Sequence, residues 1–327
     1  MLEYLRLGKA NAGDSKTGGG NGAKKGGVVA LDKHEEGCLV NLAAPTPEEL
    51  EQVSTRFDIP MDHLLDSLDP AERPYMVTED GVTLIIFRVP FRTGVTDQAP
   101  FRTVALGVIL APAATLIVCG RPDLARELLE AKTRGPEPKS GLGAAMSILF
   151  RACARYITYL QELYTRTEAV EQAIHRSMRN EDLASMMQIE KALVYFATSL
   201  KGNSGLLEKM QAAVGFIKPE QETERDILDD AVVECRQAAD MAGIYIQILS
   251  TISETAGSLI SNNMSAAMRF LAAITLILTV PMVVVGFYGM NVGLPLQDTP
   301  LAAGIISAIT LLICVVLWRF LSKKHWM

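Results

Sequence analysis

The chain has 327 residues, of which 49% are hydrophobic and 21% charged, and its formal net charge is −6. Its five cysteines are far apart and its four histidines form no spaced pair, which argues against a disulfide framework and a structural zinc site. Before residue 269 there are 27 basic and 36 acidic residues, and this acidic excess argues against a nucleic-acid partner.

Residues 1–35 predict an N-terminal strand followed by a flexible segment rich in glycine and lysine. Residues 8–27 contain eight glycines, four lysines and no large apolar side chain. Such a stretch cannot offset the entropy of ordering by burying apolar surface. We therefore expect a mobile loop here.

Residues 36–134 predict a small cytoplasmic α/β domain. Thr46 precedes a proline and two glutamates, a pattern typical of a helix start. Runs rich in β-branched residues at 82–89, 103–110 and 115–119 predict strands. A short strand at 38–42 and a closing helix around 123–132 complete the predicted unit.

Residues 141–267 predict long helices that form a stalk. Apolar residues recur at helical spacing through 141–179, and a second helix is expected from Asp182 to about Phe216. A third helix is predicted to begin in the acidic stretch 220–230 and to continue to Pro281. The fold class is therefore an α+β cytoplasmic domain, with a mixed α/β unit and long helices, followed by two transmembrane helices.

The C-terminal part predicts two membrane spans, at 268–289 and 301–320, joined by an extracytoplasmic loop at 290–300. Residues 270–288 and 301–318 contain no charged side chain and are long enough to cross a bilayer. Basic residues lie at the start of the first span, in Arg269, and after the second span, in a basic tail at 321–327. The loop between the two spans has no lysine or arginine. The positive-inside rule then predicts a multi-pass protein of the cell membrane with both termini in the cytoplasm. The start of the chain lacks the apolar core of a signal peptide, which agrees with a cytoplasmic N-terminus.

The first span carries a stripe of small and hydroxyl-bearing residues spaced three or four apart: Ser265, Met268, Ala272, Thr275, Thr279, Met282 and Gly286. Two helices cannot enclose a water-filled path, so a pore requires an oligomer in which one helix of each copy lines the axis. Packing between helices would select the same residue types. Periodicity alone leaves both interpretations open.

The segment Tyr288-Gly289-Met290-Asn291 ends the first span, and here the sequence resembles the CorA-type magnesium transporters. The position of Gly-Met-Asn before the last apolar span, with a basic tail behind it, makes the resemblance specific. It covers about residues 36 to 327. The resemblance implies a funnel-shaped homopentamer in the lipid bilayer, whose long helices continue into a pore-lining first span.

The resemblance also implies the residues of the conduction path. Gly289, Met290 and Asn291 would form a selectivity filter at the outer mouth, and the pore would be lined by Ser265, Met268, Leu271, Thr275, Thr279 and Gly286. Magnesium loses its water reluctantly, so a ring of neutral carbonyl oxygens suits the hydrated ion better than direct ligands do. Met268 and Leu271 would be a hydrophobic constriction that closes by dewetting.

In this family, acidic residues between neighbouring cytoplasmic domains sense intracellular Mg²⁺. The resemblance makes Asp229, Asp230 and Glu254 the candidates for such a regulatory metal site. Mg²⁺ would then be both the transported ion and a regulatory ion that stabilises the closed state. A solvated helix face explains the same acidic residues without any metal.

The sequence thus predicts a channel for divalent cations, with Mg²⁺ first. Two alternatives remain: a Zn²⁺, Co²⁺ or Ni²⁺ transporter on the same scaffold, and a membrane-anchored regulatory protein that conducts nothing. Pro281 is followed by Met-Val-Val-Val and the outer loop is short of acidic residues, and both departures from the family pattern leave the choice of ion open. An enzyme is not expected, because the sequence has no nucleophile–base arrangement, P-loop or cluster of metal ligands.

Overall fold

The structure is a computed structural model, and it describes residues 2–7, 28–31, 39–94, 98–130, 140–177, 179–213, 221–290, 292–294, 301–324 and 326. The chain divides into two compact units, Met1–Ser250 and Thr251–Met327. The glycine-rich segment expected at 8–27 lies outside the described residues.

The first unit is built on a mixed sheet. Its described strands are β1 (Leu2–Leu7), β2 (Val28–Leu31), β3 (Leu39–Ala43), β4 (Tyr75–Glu79), β5 (Val82–Arg92), β6 (Phe101–Leu110) and β7 (Thr115–Cys119). They follow the order β2-β1-β3-β7-β6-β5-β4. The pairing of β3 with β7 is parallel, and the other pairings are antiparallel.

The N-terminal strand does not stand apart from the α/β domain that was predicted to begin at residue 36. Strand β1 lies between β2 and β3 in the sheet, with Tyr4 opposite Val40 on one side and Leu31 on the other. The buried side chain of Leu5 shows that β1 contributes to the core. The pairing was not predicted, because a glycine- and lysine-rich stretch separates β1 from β2 in the sequence.

Three short helices lie beside the sheet: α1 (Pro47–Phe57), α2 (Met61–Asp66) and α3 (Leu124–Glu130). Helix α1 starts as the sequence predicts, because the Thr46 hydroxyl accepts a hydrogen bond from the Glu49 N–H while the Glu49 carboxylate accepts one from the Thr46 N–H. Leu50, Val53 and Phe57 of α1 pack into the core beneath the sheet.

Two long helices, α4 (Gly141–Ser177) and α5 (Asn180–Ala212), pack on the sheet within the same unit. Buried Asn203 of α5 donates from Nδ2 to the Arg88 carbonyl oxygen and accepts at Oδ1 from the Arg88 N–H. These two bonds give partners to the backbone N–H and carbonyl of Arg88, which lies past the part of β5 that pairs with β4. The first two of the helices predicted as a stalk therefore share one compact unit with the α/β sheet.

The last two helices are α6 (Glu222–Tyr288) and α7 (Ala302–Lys323). Helix α6 has 67 residues. It is continuous up to Pro281, as the absence of any earlier proline predicts, and it continues through Pro281 to Tyr288. Helix α7 ends at Lys323, so the first residues of the predicted basic tail form its last turn. The second unit consists of the end of α6 together with α7.

Candidate ion-conducting site

The ends of α6 and α7 are long and apolar enough to cross a membrane, and very little of either apolar stretch is buried inside the chain. Exposed aromatic side chains lie near the C-terminal end of each of these helices: Phe287 and Tyr288 in α6, and Trp318 and Phe320 in α7. Exposed apolar helices with aromatic residues at their ends are typical of membrane spans.

One face of α6 packs against α7. Ile274 and Pro281 lie at the edge of this face and are half-buried. Ala273 is fully buried, and Ile277, Val280 and Val284 are half-buried, whereas the side chains on the remaining faces of residues 271–288 are exposed. At about 100° per residue, these four side chains lie within about 60° of one another around the helix axis. The matching residues of α7 are Ile306, Thr310, Cys314, Leu317 and Leu321.

Pro281 leaves one backbone carbonyl of α6 without its helical partner. Proline has no N–H, so it cannot donate to Ile277, four residues earlier. The Cys314 thiol of α7 instead lies 3.8 Å from the Ile277 carbonyl oxygen and donates to it. This contact was not predicted, although a proline inside an apolar helix indicates that some other donor must satisfy the free carbonyl.

The predicted pore-lining residues lie on the face of α6 turned away from α7. Met268 is 62% exposed and Leu271 59%, and Ser265, Thr275, Thr279 and Gly286 are exposed as well. Thr275, Thr279 and Gly286 lie about 200–240° around the helix axis from Ala273. Packing between α6 and α7 therefore does not account for the stripe.

The hydroxyl groups of the stripe are held by the helix itself. Thr275 Oγ1 donates to the Leu271 carbonyl oxygen at 2.9 Å, and Thr279 Oγ1 donates to the Thr275 carbonyl oxygen at 2.7 Å. Each bond uses the hydroxyl hydrogen and leaves oxygen lone pairs directed away from the helix. The exposed stripe thus presents acceptors for a donor such as an ion-bound water.

At the C-terminal end of α6, the Gly289 N–H donates to the Val285 carbonyl oxygen at 2.9 Å and the Met290 N–H donates to the Phe287 carbonyl oxygen at 3.3 Å. A Cβ atom at Gly289 would lie 3.2 Å from the Val285 oxygen, so this tight helix end favours glycine. Met290 is exposed. Asn291, the third predicted filter residue, lies outside the described residues.

The three candidate regulatory acids are all exposed side chains of α6. Asp229 accepts a hydrogen bond from Gln211 of α5. Within the described part of the chain, no group of three or more His, Cys, Asp or Glu side chains is arranged to hold a metal ion. Among the residues that the structure describes, a single copy of the chain therefore does not gather these three acids into a metal site.

The sequence matches a protein family described as "CorA-like Mg2+ transporter protein" over residues 35–324. A curated relative, the "Cobalt/magnesium transport protein CorA" of Methanocaldococcus jannaschii, is 25% identical over 289 residues, which cover 86% of this chain and 89% of the relative.

Solved structures share the fold over most or all of the chain. The complete structure of the CorA magnesium transporter from M. jannaschii superposes with a TM-score of 0.79 at 21% identity and covers 100% of this chain and 99% of that one. The full-length CmaX protein gives a TM-score of 0.68 at 17% identity, with 97% of both chains covered. The cytoplasmic domain of ZntB from Vibrio parahaemolyticus gives 0.55 at 11% identity over 72% of this chain and 94% of that one.

Proposed function

Since the chain belongs to the family of CorA-like Mg²⁺ transporter proteins, we propose that it conducts divalent cations, Mg²⁺ first, across the membrane as hydrated ions. The curated relative is named for transport of both cobalt and magnesium, so Co²⁺ is a second expected substrate. The proposed activity is transport alone, without a catalysed chemical step.

The observation that carries the proposal is the exposed stripe on α6. The stripe includes Thr275, Thr279 and Gly286 and faces away from α7. The hydroxyl hydrogens are bonded within the helix, but lipid offers no donor to the exposed oxygen lone pairs, whereas a water-filled path does. A helix that serves only as an anchor has no use for such a stripe.

The pore requires several copies of the chain, because two membrane helices cannot surround an axis. The proposed assembly is the homopentamer implied by the family resemblance, with α6 of each copy lining the axis. Arg269 precedes the uncharged stretch of the first span and Arg319 follows that of the second, so the proposed topology has both termini in the cytoplasm.

The proposed filter lies at the C-terminal end of α6. Carbonyl oxygens there form the negative end of the helix dipole, which favours a cation without contributing a formal charge. Gly289 allows the tight helix end, and Asn291 would add an amide oxygen from each copy. A ring of such acceptors can hydrogen-bond the waters around Mg²⁺ and avoid the cost of removing them.

The proposed gate responds to intracellular Mg²⁺ through Asp229, Asp230 and Glu254. Carboxylates from neighbouring copies would share the regulatory ion, because one chain does not collect them. Mg²⁺ bound there would favour the closed state by its higher affinity for that state.

The direct test is Mg²⁺ uptake into proteoliposomes that contain the native protein or the Asn291→Ala variant. We expect robust uptake by the native protein and loss of most of it in the variant. Asn263→Ala is the control, because Asn263 is an exposed asparagine of α6 outside the stripe.

The same assay separates the alternatives. Uptake of Zn²⁺ or Ni²⁺ but not Mg²⁺ by the folded native protein would favour a transporter for those ions. The absence of flux for every divalent cation would favour a non-conducting regulatory protein.

A further inference from the structure

A cavity of about 480 Å³ opens in the first unit, beside the ends of β5, β6 and β7. It combines three arginines with apolar and aromatic residues: Leu68, Pro70, Arg88, Phe91, Arg102, Thr103, Val104, Gly120, Arg121 and Tyr195. Among these described lining residues there is no acidic side chain. The conduction path proposed for the chain makes no use of this cavity.

Arg88 is a fixed positive charge in the wall of the cavity. Its Nη1 donates to the carbonyl oxygens of Pro70 and Glu72 at 2.8 and 3.0 Å, and its Nε donates to Thr103 Oγ1 at 3.2 Å. Its Nη2 donates to the Thr103 carbonyl oxygen. Neutral oxygens hold the guanidinium in place, and no carboxylate among the described residues neutralises its charge.

Arg102 and Arg121 are exposed and rest on aromatic rings of the cavity. Arg121 Cζ lies 4.0 Å from the centre of the Phe91 ring, and Arg102 Cζ lies 5.8 Å from the centre of the Tyr195 ring. Phe91 stands directly opposite Arg102 in the β5–β6 pairing, so both arginines belong to one neighbourhood. Neither arginine forms an ion pair with an acidic side chain in the part of the chain that the structure describes.

An arginine stacked on a ring is held in orientation while the N–H groups at its edge stay available. Two such guanidinium groups beside the partly buried Arg88 guanidinium can bind the oxygens of a phosphate in pairs. We propose that this cavity binds a phosphate-bearing anion of nucleotide size.

The size and lining of the cavity favour an organic phosphate. A volume near 480 Å³ lies within the range of small-molecule sites. Leu68, Pro70 and Val104 offer apolar surface for the uncharged part of the ligand, while the arginines hold its phosphates. Inorganic pyrophosphate shares the phosphate chemistry and is the second source that the test distinguishes.

The test is calorimetric titration of the purified full-length protein, in detergent and with EDTA, against ADP, pyrophosphate and adenosine. We expect saturable binding of ADP with a Kd below about 1 mM. Arg102→Gln and Arg121→Gln should each weaken it about tenfold or more, because each removes a charge-assisted pair of donors. Adenosine, which has no phosphate, should not bind.

Arg56→Gln is the matched control, because Arg56 is also exposed and stacked on aromatic rings, but outside the cavity. Arg102→Lys retains the charge and loses the planar fork, so its weaker binding in a folded protein would support the same site. Tighter binding of ADP than of pyrophosphate identifies a nucleotide as the ligand, and equal binding identifies an inorganic polyphosphate.

Three results would overturn the proposal: no saturable binding of ADP or pyrophosphate, unchanged affinity in Arg102→Gln and Arg121→Gln, or an equal loss in Arg56→Gln. None of these results depends on ion transport.

Discussion

Thr279 illustrates how a single hydroxyl can serve a pore. Its hydrogen is used by the Thr275 carbonyl oxygen, and its lone pairs lie on the exposed stripe of α6. Thr279→Val keeps the shape and removes the acceptor, so we expect Mg²⁺ uptake to slow by about two- to tenfold, the value of one ordinary hydrogen bond. Uptake into proteoliposomes is the measurement.

Thr310→Val provides the control for that variant. Thr310 makes the same bond within its own helix, to the Ile306 carbonyl oxygen at 2.8 Å, but it belongs to α7 and is half-buried. Its removal should leave uptake close to native. Equal slowing in both variants would show that the loss of any membrane hydroxyl, and not the loss of a pore acceptor, slows transport.

Cys314 is expected to stabilise the pair of membrane helices. Cys314→Ala leaves the Ile277 carbonyl oxygen without a donor and should cost about 1 kcal/mol of stability. Cys314→Ser retains a donor and should remain closer to native. Thermal unfolding of the detergent-solubilised protein measures the difference, and an alanine variant as stable as the native protein would show that the contact contributes nothing.

Much of the candidate site could be predicted because its residues share one helix. Thr275, Thr279 and Gly286 recur at helical spacing, so the stripe is visible in the sequence. The face of α6 that meets α7 is not visible, because Ile277 and Val284 are as apolar as the exposed residues beside them. The cavity arginines, on β5, β6 and the turn after β7, are brought together only by the fold.

At the scale of elements, an ion-pair cluster joins β5 to α4. Arg92 Nη1 of β5 lies 3.0 Å from Glu162 Oε1, and Arg166 Nη2 lies 2.8 Å from the same oxygen. Hydrogen bonding from Arg92, with a further contribution from Arg166, lowers the pKa of Glu162 below its ordinary value of 4.5. The ionised form of Glu162 is therefore more stable, relative to its protonated form, in the folded chain than in the unfolded chain.

This lowered pKa makes the stability contribution of Glu162 dependent on pH. A depressed folded-state pKa gives stability that is fully present above pH 4.5 and is lost as the pH falls through the lower folded value. The difference in Tm between the native protein and Glu162→Gln should therefore shrink as the pH drops below 4.5. A Tm difference for Glu162→Gln that stays constant over this pH range would contradict this prediction.

The elements themselves were predictable to different degrees. Strands β5, β6 and β7 are buried runs of β-branched residues, and α1 carries its start signal in Thr46 and Pro47, so local sequence is sufficient there. Strand β4 was missed because it is short and only partly buried, without the apolar run of a core strand. The pairing of Asn203 with Arg88 joins residues 115 positions apart, which no local pattern indicates.

A pore lined by α6 requires several copies of the chain. The native protein in mild detergent should have a protein mass of five times 35.5 kDa. Native mass spectrometry measures this directly. A particle with only one or two copies of the chain would be incompatible with a pore lined by α6, because so few helices cannot surround a hydrated ion.

The most direct test of the central claim is whether the stripe of α6 faces water in the conducting protein. Thr279→Cys and Val285→Cys would each be treated with a positively charged, membrane-impermeant thiol reagent, and Mg²⁺ uptake compared before and after. Val285 is 72% exposed but lies about 120° around the helix from Ala273, outside the stripe. The native protein controls for Cys314 and the other native cysteines.

We expect the reagent to remove most of the uptake through Thr279→Cys and to leave Val285→Cys and the native protein unaffected. An active Thr279→Cys protein that the reagent does not inhibit, with inhibition of Val285→Cys instead, would contradict the account and place another face of α6 on the conduction path.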